Sequence, residues 1–471
     1  MPYEPLQQKQ IRPFANGHNI YRAEQARATA RVISTRSEEL GAYTPGNSFV
    51  EEIQSDVSLR VREQGILYPY LALIKDINYD LEEAGLPTTI SSADFAEKRT
   101  TFVFPRIARA EIGDITPVIF KNYFVNKASL NSIGWSWAVD GSSTINFSFQ
   151  GSSYIVHKGT KAAPLLEHSV GVSSGVATLA FAPTKILKVV AEAPSSIADE
   201  DITDVCSIAS GANINVGTYN GVAPTSISVL YTFDQQDGDP ALFYGRVVSE
   251  TVTGDGVSNT VTVSHNGINL ISIRDANGAL FGTSNSISGT TVTSDAVFAA
   301  ADYVVTYITD EEMPGMLTQT LKSQARIFLA PSYASKGDRL IGVSSANANA
   351  NFNTDNRQEL GSKDPYLAIT QLPADVTCDL TLDETENVEA IYDAIMGNSP
   401  SDEYDFLQVD DTRNLYVEIL DNNGNVQLVY KFPQLMLNTT DSGAELKTTA
   451  TRTLNFTASD FYITSSPAAD F

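Results

Sequence analysis

Ala374-Asp375-Val376-Thr377-Cys378-Asp379-Leu380-Thr381-Leu382 alternates apolar and polar residues without a break. In an extended strand, Val376, Cys378, Leu380 and Leu382 fall on one face and Asp375, Thr377, Asp379 and Thr381 on the other. One face is built for a core and the other for water. Directly after it, residues 383–397 read as a short helix. Asp383, Glu384 and Glu386 crowd its start, Val388, Ile391, Tyr392 and Ile395 form one apolar stripe, and Gly397 ends it. A hairpin follows, with Tyr416–Leu420 and Val426–Tyr430 flanking the turn sequence Asp421-Asn422-Asn423-Gly424-Asn425. That turn lacks the register and distal Glu of a calcium loop. Strands from Thr448 to Thr457, with Phe461 beyond, complete a sandwich with one helix.

Working outward, the same landmarks occur earlier in the same order. Gln10–Phe14 stands against Gln324–Phe328, Glu39-Leu40-Gly41 against Glu359-Leu360-Gly361, and Asp56–Leu59 against Asp375–Cys378. Val118–Lys121 then matches Leu428–Lys431, and Ile145–Ser148 matches Leu454–Thr457. Spacing carries the argument: Glu39 to Asp56 is 17 residues and Glu359 to Asp375 is 16, while Lys121 to Asn146 is 25 and Lys431 to Asn455 is 24. In the first copy Asp56, Ser58, Arg60 and Arg62 alternate with Val57, Leu59 and Val61, and Tyr68 to Leu86 occupies the helix position. Trp135–Val139 and Ile145–Phe149 read as paired strands across Asp140–Ser143.

The expected organisation is therefore an N-terminal arm over 1–30, a first β-sandwich half over 31–160, an insertion over 161–312 and a second half over 313–471. The insertion is rich in Gly, Ser and Thr and looks doubled, one unit ending at Ile227–Thr232 and the other at Tyr303–Tyr307. Short strands with turn clusters predict small, Ig-like β-sandwiches there. The fold class is mainly β.

The chain has 471 residues, 31 basic and 56 acidic, for a formal net charge of -25. Residues 1–160 are almost balanced at 16 basic and 17 acidic, whereas 161–310 hold 5 and 15 and 311–471 hold 10 and 24. Such a surface offers no footprint for binding duplex DNA. Cys206 and Cys378 define neither a disulfide framework nor a metal pair. His18, His157, His168 and His265 are not at metal-ligand spacing, and no nucleophile elbow, phosphate loop or zinc motif occurs. Asp199-Glu200-Asp201 and Asp237-Gly238-Asp239 read as solvated loops. No cofactor, metal or catalytic residue is predicted, and the chain is not expected to be an enzyme. The first residues do not form a signal peptide and no apolar run reaches membrane-spanning length, so the expectation is a soluble protein made in a cytoplasm.

On the strands at 56–62 and 375–382, the helix at about 383–396, the hairpin around 421–425 and the closing strands at 145–149 and 454–457, each half resembles the tube domain of phage tail tube proteins. The resemblance covers about two thirds of the chain, outside the insertion. It implies ring formation. Most such proteins carry one domain and form six-membered rings; a fused pair resembles the flexible-tail arrangement of the T5 type, in which three chains make a pseudo-hexameric ring. The insertion between the halves is a departure from that arrangement. A ring could pair sheet edges around the circle and leave no edge exposed. Its lumen would then be lined by Asp56, Ser58, Arg60 and Arg62 alternating with Asp375, Thr377, Asp379 and Thr381, with the insertion projecting outward. The implied partners are further copies of the chain, a tape measure protein and viral DNA in the lumen without sequence-specific binding, and tail terminator and distal tail or baseplate proteins, with no membrane. The implied location is the virion tail. A baseplate hub, a tail terminator, a capsid decoration protein and a cell-surface or carbohydrate-binding β-protein stand as alternatives.

Overall fold

A computed structural model describes residues 13–466 apart from 37–47, 80, 82–86, 97, 109–117, 139–142, 152, 158–161, 235–245, 310, 312, 314–315, 317–323, 338, 359–364, 371, 384–412 and 444–450. The protein is mainly β, as the alternation predicts. In the first half, β3 (Ala23–Arg36) pairs with β4 (Ser48–Arg62), β4 with β8 (Thr144–Gly151), and β8 with the second part of β7 (Val118–Ala138). The first part of β7 turns into a second layer, where it lies between β6 (Arg99–Ala108) and β9 (Ser153–His157). Beyond β6 lie β1 (Phe14–Ala15) and β2 (His18–Asn19). Residues 13–30, expected as part of an extended arm or a loop, form a hairpin and the start of β3. Phe14 and Ala15 supply the apolar contact that docks it, both being buried.

The second half repeats that order. Its first layer runs β21 (Val343–Asn351), β24 (Asp375–Asp383), β28 (Thr451–Ala458), β27 (Met436–Gly443). Its second layer runs β20 (Ala325–Ala330), β25 (Asn414–Leu420), β26 (Val426–Phe432), β29 (Tyr462–Thr464), and is extended by β5 (Thr89–Ser91) from the first half. Register repeats as well as order: Ser58 opposes Ser148 on β4 and β8, and Thr377 opposes Thr457 on β24 and β28. Two landmarks hold residue for residue, Asp56 with Asp375 and Asn146 with Asn455. The Val118–Lys121 landmark slips, because pairing to β9 and β29 puts Val125, not Phe120, in the place of Tyr430. The cause lies between β27 and β28, where Leu437 to Asn455 spans 18 residues and the equivalent Ile133 to Asn146 spans 13.

Helix α1 (Tyr68–Ile74) is shorter than the expected Tyr68–Leu86, with Pro69 in its first turn and all seven residues buried. The helix expected over 383–396 lies outside the described residues except Asp383, which ends β24. The 421–425 turn forms as read. The Asp421 carboxylate accepts the amides of Asn423 and Asn425, each at 2.8 Å, and Gly424 has φ +85°. The Asp140–Ser143 turn is outside the described residues up to 142, but Trp135 and Ile145 pair as expected.

The insertion forms two sheets. The first contains β10 (Ala162–Ser173), β11 (Val176–Thr178), β12 (Pro183–Ala191), β13 (Cys206–Ile208), β14 (Asn213–Val216) and β15 (Ser226–Asp234). The second contains β16 (Arg246–Thr253), β17 (Thr260–Arg274), β18 (Asn285–Ser294) and β19 (Asp302–Thr309). Phe14, Val103 and Phe124, on the back of the first half's second layer, share one core with Leu165, Val189 and Tyr231 of the first sheet. The insertion is therefore seated on the side of the half away from the Asp56 strand. A buried ion pair ties its two sheets together. Arg274 donates to the Glu167 carboxylate and to the carbonyls of Gly278 (2.9 Å) and Thr178 (3.0 Å), while Tyr231 also donates to Glu167. Beside it, the Gly171 amide bonds the Gly278 carbonyl at 3.1 Å, and a Cβ on Gly171 would lie 2.0 Å from the Asn277 carbonyl oxygen. Arg274→Met would leave the buried Glu167 side chain without its guanidinium partner, a loss of about 3–5 kcal/mol. In denaturant unfolding followed over the insertion, Arg274→Met should destabilise strongly, and adding Glu167→Gln should recover part of the loss.

Candidate assembly interface

The two halves join along one backbone ladder. β7 pairs with β21 from Ala138 opposite Ser345 to Ser132 opposite Asn351, and the two four-strand layers become one continuous sheet of eight strands. On its inner side, Ile133, Trp135 and Trp137 meet Ala350, Ala348 and Ala346, all buried. Small alanines opposite large aromatics let the two backbones pair while the rings fill the core beneath. Trp135 and Trp137 lie edge-on to Tyr430 at 6.2 and 5.1 Å, and Trp135 to Phe461 at 5.1 Å.

A hydrogen-bonded chain fixes this packing. The Trp135 indole donates to the Tyr70 hydroxyl at 2.7 Å, Tyr70 and Tyr430 share a hydrogen bond at 3.1 Å, and the Tyr430 hydroxyl donates to Glu63. Glu63 also accepts the amides of Gln64 and Gly65, both at 2.9 Å. Burial pushes its carboxyl above the ordinary 4.5, and the bonds it accepts pull the other way. Since the folded value is raised, the Glu63 contribution to stability is complete below about 4.5 and is lost as pH climbs through the raised value. Glu63→Gln should therefore flatten the decline of the unfolding midpoint as pH rises from about 4.5 towards neutrality.

The predicted polar residues share one face. Asp56, Ser58, Arg60, Arg62, Asp375 and Thr377 are exposed, and Asp379 and Thr381 are half-buried. Pairing rows can be followed across both halves: Arg60, Asn146, Gly134, Asn349, Thr377 and Thr457 lie side by side. Arg60 corresponds to Asp379 by repeat yet meets Thr377, so the sheet climbs two residues per half. A stagger of this kind accompanies the strand tilt of a closed barrel. The face is not uniform in charge. Its first half carries Arg27, Arg60 and Arg62, with Glu24 bonded to Arg62 at 2.5 Å and 3.4 Å from Arg60; its second half carries Asp375, Asp379 and Asp383. Partial burial raises the Asp379 carboxyl.

The sheet ends in two edges, β3 and β27, with no further strand paired to either among the described residues. They correspond to the two strands of the internal seam. Ala28 opposes Val57 as Ala350 opposes Val376, and Leu437 opposes Phe456 as Ile133 opposes Phe147. At the seam these positions are buried, while Ala28 and Leu437 are half-buried and Met436 is 62% exposed. Sequence reading missed β21, whose Ala346-Asn347-Ala348-Asn349-Ala350-Asn351 alternates as strictly as β24. Its period of two was available as a signal, but Ala and Asn are poor strand formers and mask it.

Cys378 is buried and Cys206 half-buried. Among the described residues, no group of three His, Cys, Asp or Glu side chains is placed to hold a metal. No helix among them is long and apolar enough to cross a membrane.

No protein-family model matches the chain, and no curated protein matches it. Among solved structures, the chain is similar to the tube-terminating cap of the anti-feeding prophage, with 14% identity and a TM-score of 0.23, covering 30% of this chain and 89% of that one. It is also similar to the sheath–tube complex of the extracellular contractile injection system PVC in the extended state, with 10% identity and a TM-score of 0.22, again covering 30% of this chain and 89% of that one.

Proposed function

We propose that the chain is a non-enzymatic subunit of a phage tail tube, in which three copies close into a pseudo-hexameric ring and rings stack around the path of the DNA. The observation that carries this reading is the internal seam, which joins one half to the next through strands whose counterparts, β3 and β27, end the sheet with no strand on their outer edges among the described residues. Applying the seam's register between copies sets Ala28 of one chain opposite Leu437 of the next. Three copies of eight strands, about 24 in all and ~4.8 Å apart, make a backbone circle about 37 Å across, wider than a DNA duplex.

In that ring Asp56, Ser58, Arg60, Arg62, Asp375, Thr377, Asp379 and Thr381 line the lumen, in alternating basic and acidic sectors. Mixed charge offers DNA and a tape measure protein no continuous binding track. The insertion, seated on the opposite side, faces outward once per chain. Tail terminator and distal tail or baseplate proteins would meet the two ends of the stack.

Register gives the test. Residues opposite one another on antiparallel strands are about 4.5–5.5 Å apart between Cα atoms, within disulfide reach. An Ala28→Cys, Leu437→Cys double variant, oxidised after assembly, should run on non-reducing gels as a closed three-chain species with two-chain intermediates, and each single variant should not. Assembled particles that yield no inter-chain disulfide would rule out this junction.

A further inference from the structure

We propose that the cleft between the first half and the insertion binds a polyhydroxylated anion, a sugar acid or a sugar phosphate, with Arg99 and Lys127 on the anionic group and Asp199 and Asp204 on the hydroxyls. The site stands whether or not the chain forms the ring described above. The cleft has a volume of about 1080 Å³, enough for a small molecule. Its walls are held in place by the protein itself. The Asn16 amide donates to the Thr101 carbonyl at 2.8 Å, its side-chain oxygen accepts the Thr101 amide at 2.9 Å, and its Nδ2 donates to the Lys75 carbonyl at 2.8 Å. These bonds tie the end of α1 to β6. Lys188 of the insertion reaches Asp76 at 2.6 Å, and the Asn78 side-chain amide donates to Asp199. A site fixed in this way loses little freedom when it is filled.

Backbone geometry singles out the first-half wall. Thr101 on β6 stands opposite both Asn126 and Lys127 on β7, which makes a bulge, and Lys127 has φ +52°. Glycine adopts that conformation without strain and lysine does not. Bulges and strained residues gather where a side chain has to be aimed at a ligand. Asn126, which lines the same cleft, keeps a buried side-chain oxygen with no hydrogen-bond partner among the described residues. Such groups are rare in the absence of a ligand or ion to meet them.

The charges give the ligand class. Lys98, Arg99 and Lys127 lie on the first-half wall, and Asp199, Asp201 and Asp204 on the insertion wall. Asp94, beside the basic group, is occupied by the Ser91 amide at 2.8 Å. Partial burial pushes the Arg99 guanidinium below its ordinary value, and a bound anion would oppose that shift. A guanidinium flanked by ammonium groups takes a carboxylate or a phosphate. The facing carboxylates would repel a second anionic group but accept hydrogen bonds from hydroxyls. Tyr79, 37% exposed, adds apolar surface for a sugar ring.

Calorimetric titration of the full chain tests this, with glucuronate and glucose 6-phosphate as probes. Both should bind, and glucose and inorganic phosphate should bind at least tenfold more weakly, because each answers one wall alone. Lys127→Gly suits the left-handed backbone, so its unfolding midpoint should hold or rise while affinity for both probes falls at least tenfold. Asp204→Asn, at an exposed position, should weaken both severalfold and leave phosphate unaffected. Failure of both probes to bind, or unchanged affinity in Lys127→Gly, would overturn the site. Phosphate binding as tightly as glucose 6-phosphate would overturn the role of the insertion wall. Adenosine monophosphate binding more tightly than either probe would overturn the assigned class in favour of a nucleotide.

Discussion

Everything in this molecule is arranged around the backbone ladder between β7 and β21. An antiparallel ladder satisfies the polar groups of two strands that would otherwise be open edges, and here it does so between two halves of one chain. The alanines of β21 let the strands approach, and the tryptophans of β7 fill the volume beneath them. The Trp135, Tyr70, Tyr430 and Glu63 chain then holds both halves at one angle. A rigid angle between successive units is what a closed ring requires, because small errors at each junction would open it into a helix.

Much of this was legible in the sequence, and the reasons differ by element. β4 and β24 alternate with residues of clear polarity, so both their faces and the shared polar surface could be read directly. Asp421-Asn422-Asn423-Gly424 carries its own turn chemistry. The shared order was legible where short stretches match residue for residue, as at Asp56 and Asn146, and slipped by several residues at Val118–Lys121 because the connection from β27 to β28 is longer than its counterpart in the first half. β21 was hidden by composition. The strands within the described part of the 1–30 arm were missed because two-residue strands such as Phe14–Ala15 are too short for any period to appear. The crossing of β5 into the other half could not have been read at all, since Thr89-Ile90-Ser91 has no local mark of its destination. The same applies to the Glu63 network, whose members are up to 367 residues apart.

The two halves share a strand order and differ in chemistry. The polar face carries Arg27, Arg60 and Arg62 beside Asp56 and Glu24 in the first half, and Asp375, Asp379 and Asp383 in the second. Among the described residues the insertion shares a core with the first half, through Phe14, Val103 and Phe124. In a ring of single-domain subunits every position would carry the same charge and the same decoration. In the proposed ring, two unlike halves per chain would let alternate positions differ, so a threefold pattern of charge inside and of bulky domains outside would be laid on a wall of near-sixfold geometry. The Glu167–Arg274 pair keeps the two sheets of that decoration fixed to each other.

The measurement that bears most directly on this account is the number of chains in the smallest closed assembly, by native mass spectrometry with the symmetry checked by electron microscopy. The account predicts three chains and a threefold ring whose inner wall has near-sixfold repeats. A closed ring of six chains, or an assembly in which β3 and β27 remain unpaired, would contradict it.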